Sequence, residues 1–157
     1  MGVSNTGQAP AAGSWTGSGP FDDTAWQQGI SPLGNDGEQT VVSYGPSAAN
    51  KYITTYFRKT IAITGVYGAF GLRYKRDDGI VIYVNGTKLL REYMPAGTLT
   101  NSTSATIMPE AQEPLWKTVA VPASMLRSGT NVIAAKVHQT SPTSDSIWSC
   151  LGPYSRA

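Results

Sequence analysis

The chain has 157 residues, 14% of them charged, with a formal net charge of +2, one cysteine and one histidine. That length suits one domain with its own core. The charge is too small for a nucleic-acid surface, and no runs of Lys and Arg with interleaved aromatics support one. The lone Cys150 rules out an intramolecular disulfide and Cys-based metal spacing, and nothing reaches the roughly 18 consecutive apolar residues of a membrane span.

Residues 1–20, "MGVSNTGQAPAAGSWTGSGP", form a Gly/Ala/Ser/Pro-rich arm broken by Trp15, which by composition would be flexible. Such an arm needs a surface to lie against if it is to be ordered, either its own sheet or a neighbouring subunit. Trp15 is the large side chain able to anchor it, and we expect it in a neighbour's pocket. The arm lacks the basic n-region and apolar h-region of a signal peptide, so export by that route is not expected of the chain as given.

Residues 21–157 read as one β domain. "FDDTAWQQGISPLG" suggests a short strand or turn around Trp26 and a Pro-containing bend, and "EQTVVSYG" a strand. "KYITTYFRKTIAI" is a long strand whose Ile53, Phe57, Ile61 and Ile63 would face a core, interrupted by Lys59. "FGLRYK" alternates, and "IVIYVNGTKLL" places Asn85-Gly86 where a tight hairpin needs two positive φ angles. From 92 to 114 the pattern dissolves into Pro, Gly, Ser and Thr, a segment too long for a plain connector and so a candidate functional loop. "LWKTVAVP" and "NVIAAKVHQ" restore strands around a short helical turn closed by Gly129, and "SIWSCL" is the last strand. Ile53, Phe57, Ile61, Leu72, Ile82, Val84, Val119 and Val137 are expected to share one interior. Short strands, frequent turns and no long amphipathic helix indicate an all-β antiparallel sandwich preceded by an extended N-terminal arm.

The phrases "FDDTAWQQGISPLG", "YITTYFRKTIAI", "RDDGIVIYVNGTKLLREYMPAG", "VPASMLRSGTNVIAAKVHQ" and "SDS", in that order, cover most of residues 21–146. Together they resemble the galactose-binding-like jelly-roll modules appended to bacterial secreted phosphoesterases and polysaccharide-degrading enzymes. The resemblance implies a non-catalytic accessory domain, of a kind that often binds glycans through loops or a sheet face. The ending "SIWSCLGPYSRA" departs from the alternating acidic and apolar ending of that family.

The candidate site residues each have two readings. Asp77-Asp78-Gly79 is turn chemistry, since Asp side chains bond backbone N–H groups two residues on. The same pair are candidate calcium ligands, although no further acid lies nearby in sequence to help supply the six to eight oxygens that ion takes. Related sugar-binding sandwiches use an Asp pair in this way, and no other cofactor is expected. His138, with Asp145 as an orienting acid, would suit acid/base work, yet a lone strand His is more often a hydrogen-bonded packing residue. Sugar binding needs aromatic faces for a pyranose and polar groups for its hydroxyls. Tyr93 and Trp116 flank the long loop and are the expected exposed aromatics, whereas Trp26 and Trp148 are expected in the core.

No catalytic constellation emerges, so the expected role is binding or structure. The leading expectation is a surface decoration or adhesion component of a phage virion or similar assembly, with other subunits, its own copies or capsid protein, and surface glycans as partners. That reading places the chain on a virion surface or outside the cell. The alternative is a carbohydrate-binding accessory module of a secreted hydrolase.

Overall fold

Strand pairing begins at the second residue. In the computed structural model, which describes residues 1–11, 15–34, 39–65, 70–144 and the backbone of 148–154, Gly2–Ser4 is strand β1 and pairs antiparallel with Gln27–Gln28 (β2) and Thr54–Ile63 (β5). Leu33–Gly34 (β3) and Thr40–Val41 (β4) follow β2, and Phe70–Asp77 (β6), Gly79–Val84 (β7) and Thr87–Glu92 (β8) follow β5. Lys117–Val121 (β9), Gly129–His138 (β10) and Trp148–Tyr154 (β11) complete the eleven strands among the described residues. One sheet has the order β2-β1-β5-β10-β7-β8 and the other β4-β3-β11-β6-β9. Every pairing is antiparallel except β3 with β4. No α-helix occurs among the described residues; single 3-10 turns span Glu110–Gln112 and Ala123–Met125. The fold is the expected all-β sandwich.

The period-two pattern places the core. Phe57, Leu72, Ile82, Val84 and Val137 are buried between the sheets with Leu33, Tyr74, Ile80, Ile133 and Ala135, and Ile61 and Val119 pack against them. Ile53 is the exception: it precedes β5, is half-buried, and contributes its carbonyl to the Gln139 amide rather than its side chain to the core cluster. Asn85 and Gly86 carry φ angles of 50° and 87°, the left-handed pair that the hairpin requires. The Asn85 side chain also ties the hairpin inward, donating to the Met125 carbonyl and accepting from the Val132 amide.

The arm belongs to its own sandwich. Beyond β1, Trp15 packs edge-on against Tyr56 and Tyr83, with centroids 5.2 and 5.9 Å away, and lies beside Trp26. These rings, with Val132, Ala134 and Phe21, form a second apolar cluster on the outer face of the six-stranded sheet. Arg58 clamps the segment: its Nε donates to the Trp15 carbonyl (3.1 Å), Nη1 pairs with Asp23 (2.7 Å), and Nη2 donates to the Gly17 carbonyl. The hairpin joins in, since the Gly86 amide donates to the Thr16 carbonyl. Trp15 is 7% exposed. The expectation that it inserts into a neighbouring subunit is corrected by this packing, because its ring surface is already covered by its own chain.

Candidate functional site

Asp77 and Asp78 sit at a sharp corner. β6 lies in the five-stranded sheet and β7 in the six-stranded one, and Asp78 alone separates them, joined to Asp77 by a cis peptide bond. Gly79 is needed there for room: a Cβ would lie 2.6 Å from the Tyr93 carbonyl oxygen and 2.8 Å from the Ala105 methyl. The corner therefore starts a strand that changes sheets, and the long loop folds closely over it. The Asp78 carboxylate accepts from the Thr140 amide (2.8 Å) and the Ser144 hydroxyl (3.4 Å), so it ties the corner to a distant segment rather than bonding an amide two residues on as the turn reading expects.

The same loop brings a third acid that sequence proximity could not reveal. Carboxylate oxygens of Asp77, Asp78 and Glu113 lie within 4.8 Å of one another. Asp77 and Asp78 are 4% and 6% exposed. Burial, then the charges of Asp78 and Glu110, push the Glu113 carboxyl above its usual range, against a smaller opposing effect of Arg76. Next to this trio, the fully buried Arg76 pairs with Glu92 (3.1 Å), which Lys117 also approaches (3.6 Å). Among the described residues, four carboxylates thus meet two cations at this end of the sandwich. The remaining negative charge suits a hard divalent cation, and three carboxylates binding through one or both oxygens go far toward the oxygens calcium takes.

Tyr93 does not serve as a free aromatic. It is half-buried at φ 50°, and its ring lies 5.1 Å from the Arg76 guanidinium and 5.9 Å from the Lys117 ammonium, capping the buried charges. Trp116 is exposed, as expected, at 44%. It lies over Arg73 (4.2 Å) and Lys75 (5.5 Å), which project from one face of β6. Because Leu72 and Tyr74 fill the core, the alternate residues Arg73 and Lys75 mark the outer face of the five-stranded sheet. Trp26 is buried as expected, whereas the side chain of Trp148 lies outside the described residues.

His138 is wholly buried. Its Nδ1 lies 2.7 Å from the Thr103 carbonyl and 2.9 Å from the Thr54 hydroxyl, which itself donates to the Asn101 carbonyl. The carbonyl requires Nδ1 of the ring to carry a proton. Burial, with the nearby charges of Lys136 and Arg91, pushes it down to about 4, although the hydrogen bond to Thr103 opposes this. A ring so placed neither reaches a substrate nor exchanges protons near neutrality. Asp145, its expected orienting partner, lies outside the described residues.

No protein-family model matches the sequence, and comparison with curated proteins finds no match. Solved structures do match. A glycosyl hydrolase family 2 member from Bacteroides cellulosilyticus superposes with a TM-score of 0.53 at 13% identity, over 96% of this chain and 20% of that one. A β-glycosidase from Bacteroides vulgatus gives 0.51 at 14% identity, over 96% of this chain and 19% of that one. A Bacteroides uniformis β-glucuronidase gives 0.50 at 12% identity, over 94% and 17%. The chain has the fold of one part of these glycosidases. It spans about a fifth of their length, and at such identities the likeness establishes architecture and leaves function to the site itself.

Proposed function

We propose that this chain is a non-catalytic carbohydrate-binding β-sandwich that serves as an accessory domain of a larger glycoside-active protein. The observation that carries the reading is Trp116, an exposed indole with Arg73 and Lys75 beside it on the outer face of the five-stranded sheet. An indole face receives the apolar side of a pyranose, and flanking cations donate to its hydroxyls. Two further facts favour a binding role over catalysis. The only histidine is buried and held neutral, and the paired acids are too enclosed at the sheet-to-sheet corner to meet a sugar ring. The corner trio Asp77, Asp78 and Glu113 would hold calcium, which would brace the 93–116 loop against β6 and β7.

The virion-surface reading rested on an arm available to a neighbour. With β1 paired to β5 and Trp15 packed on Tyr56 and Tyr83, that support is gone, and the exposed Trp116 supports the accessory-module reading. Titration calorimetry with neutral gluco- and galacto-oligosaccharides tests it. Binding is expected in the wild type and absent in Trp116→Ala, whose unfolding free energy should move by no more than about 0.5 kcal/mol, as for an exposed substitution. Equal binding by Trp116→Ala would remove the sheet face as the site.

A further inference from the structure

The geometry points to a second binding site on the opposite sheet: an anion pocket formed by Lys136 and Arg91 that takes the carboxylate of a uronic-acid-bearing saccharide. The register puts these residues in one row. Tyr56 pairs with Lys136, Lys136 with Val81, and Val81 with Arg91, so four strands carry the row across the outer face of the six-stranded sheet. On one side the row Arg58, Ala134, Tyr83 is covered by the arm through Trp15. On the other side the row Thr54, His138 is covered by the 97–103 loop through the carbonyls of Asn101 and Thr103. Asn101 also donates to the Gly7 carbonyl, tying loop to arm. Between these two covers Lys136 and Arg91 remain half-buried.

Among the described residues neither cation has an acidic partner. Among the described residues the ion pairs are Arg58 with Asp23 and Arg76 and Lys117 with Glu92. Arg91 donates through Nη1 to the Gly97 carbonyl (3.1 Å), while its Nη2 is buried with no hydrogen-bond partner. A buried guanidinium N–H left unpaired costs stability. The positive field is felt by its neighbours: Arg91 lowers the Lys136 ammonium, below the usual lysine value mainly by burial, and both cations hold down His138. Two like charges set half-buried on one sheet face weaken the fold, and an oxyanion between them would offset both charges together. Carboxylates suit guanidinium and ammonium donors. The half-buried Tyr83, with its hydroxyl on the same face, adds the donor and ring edge that a sugar would meet. The saccharide part of this assignment rests on the carbohydrate-binding reading above, whereas the anion pocket itself does not.

The test is a pair of titrations of the full chain followed by amide NMR, one with galacturonate and glucuronate oligosaccharides, the other with their neutral counterparts, and with sodium sulfate as a control. Uronates are expected to shift resonances of residues 81–83, 91 and 134–138 and to bind at least tenfold more weakly to Lys136→Met. That variant should melt higher than the wild type without ligand, because it removes the like-charge neighbour of Arg91. Sulfate binding as tight as uronate would overturn the saccharide assignment. Shifts confined to residues 73–75 and 116–118 with neutral and acidic sugars alike would overturn the second site while leaving the proposed function standing. No binding of any sugar would overturn both. A lower melting temperature for Lys136→Met, showing that Lys136 has a stabilising partner, would also refute the pocket.

Discussion

Replacing Trp15 by Ala separates an arm that serves its own domain from one that serves a neighbour. The ring is 7% exposed and touches Trp26, Tyr56 and Tyr83. Truncating a buried Trp costs roughly 3 to 5 kcal/mol, and the edge-on contacts with two tyrosines place this case toward the upper part of that range. Arg58 would lose the packed segment whose carbonyls it binds, although its pair with Asp23, whose side chain is 33% exposed, keeps much of its solvation. We expect a loss of about 4 kcal/mol in a urea titration followed by circular dichroism. For a chain of this length that corresponds to a fall in melting temperature on the order of 10 °C. The experiment is run at two protein concentrations tenfold apart, because an intramolecular contact gives the same loss at both. A change below about 1 kcal/mol, or a loss that depends on concentration, would refute the intramolecular arm and return Trp15 to an assembly contact.

The buried His138 makes stability fall with acid. Its native pKa is lowered to about 4, so the unfolded chain takes up the proton first as pH drops below its ordinary 6.5, and the stability present above that value is lost as pH falls toward 4. The loss should be about 3 kcal/mol between pH 7 and pH 4, measured as urea midpoints; a His138→Gln variant keeping the same pH slope would exclude this source. Glu113 acts in the opposite sense. Its raised native pKa means that its contribution is fully present below the unfolded value and is lost as pH rises through the native one. Neutralising Glu113 in Glu113→Gln should therefore stabilise the calcium-free protein at pH 7. In the wild type, calcium at a hundred times its dissociation constant should add about 2.7 kcal/mol and raise the melting temperature by roughly 5 to 10 °C, an effect largely absent in Glu113→Gln. No shift with millimolar calcium would leave Asp77 and Asp78 as turn residues only.

Local chemistry alone determined the long strands, the Asn85-Gly86 hairpin and most of the core, but not the short strands β1 and β3. Alternation fixes which face of a strand is apolar, and positive φ angles fix which residues can turn it, so neither needs a distant partner. The acidic corner at Asp77-Asp78 was legible for the same reason. Its third member was not: Glu113 lies 35 positions beyond Asp78, in a loop without periodicity, and only the close approach of that loop to Gly79 brings the carboxylates together. Tyr93 shows the converse, since its place beside the loop suggested exposure while the buried charge of Arg76 drew its ring inward. The arm's destination was also set by tertiary structure, because the surface that receives Trp15 is assembled from Tyr56, Tyr83, Val132 and Ala134 on three strands. One signal was present in "NVIAAKVH", where apolar residues fall on both faces of β10. A strand apolar on both faces must be covered on both, but the sequence does not specify which segment covers it, since that depends on which distant chain lengths and side chains reach the sheet.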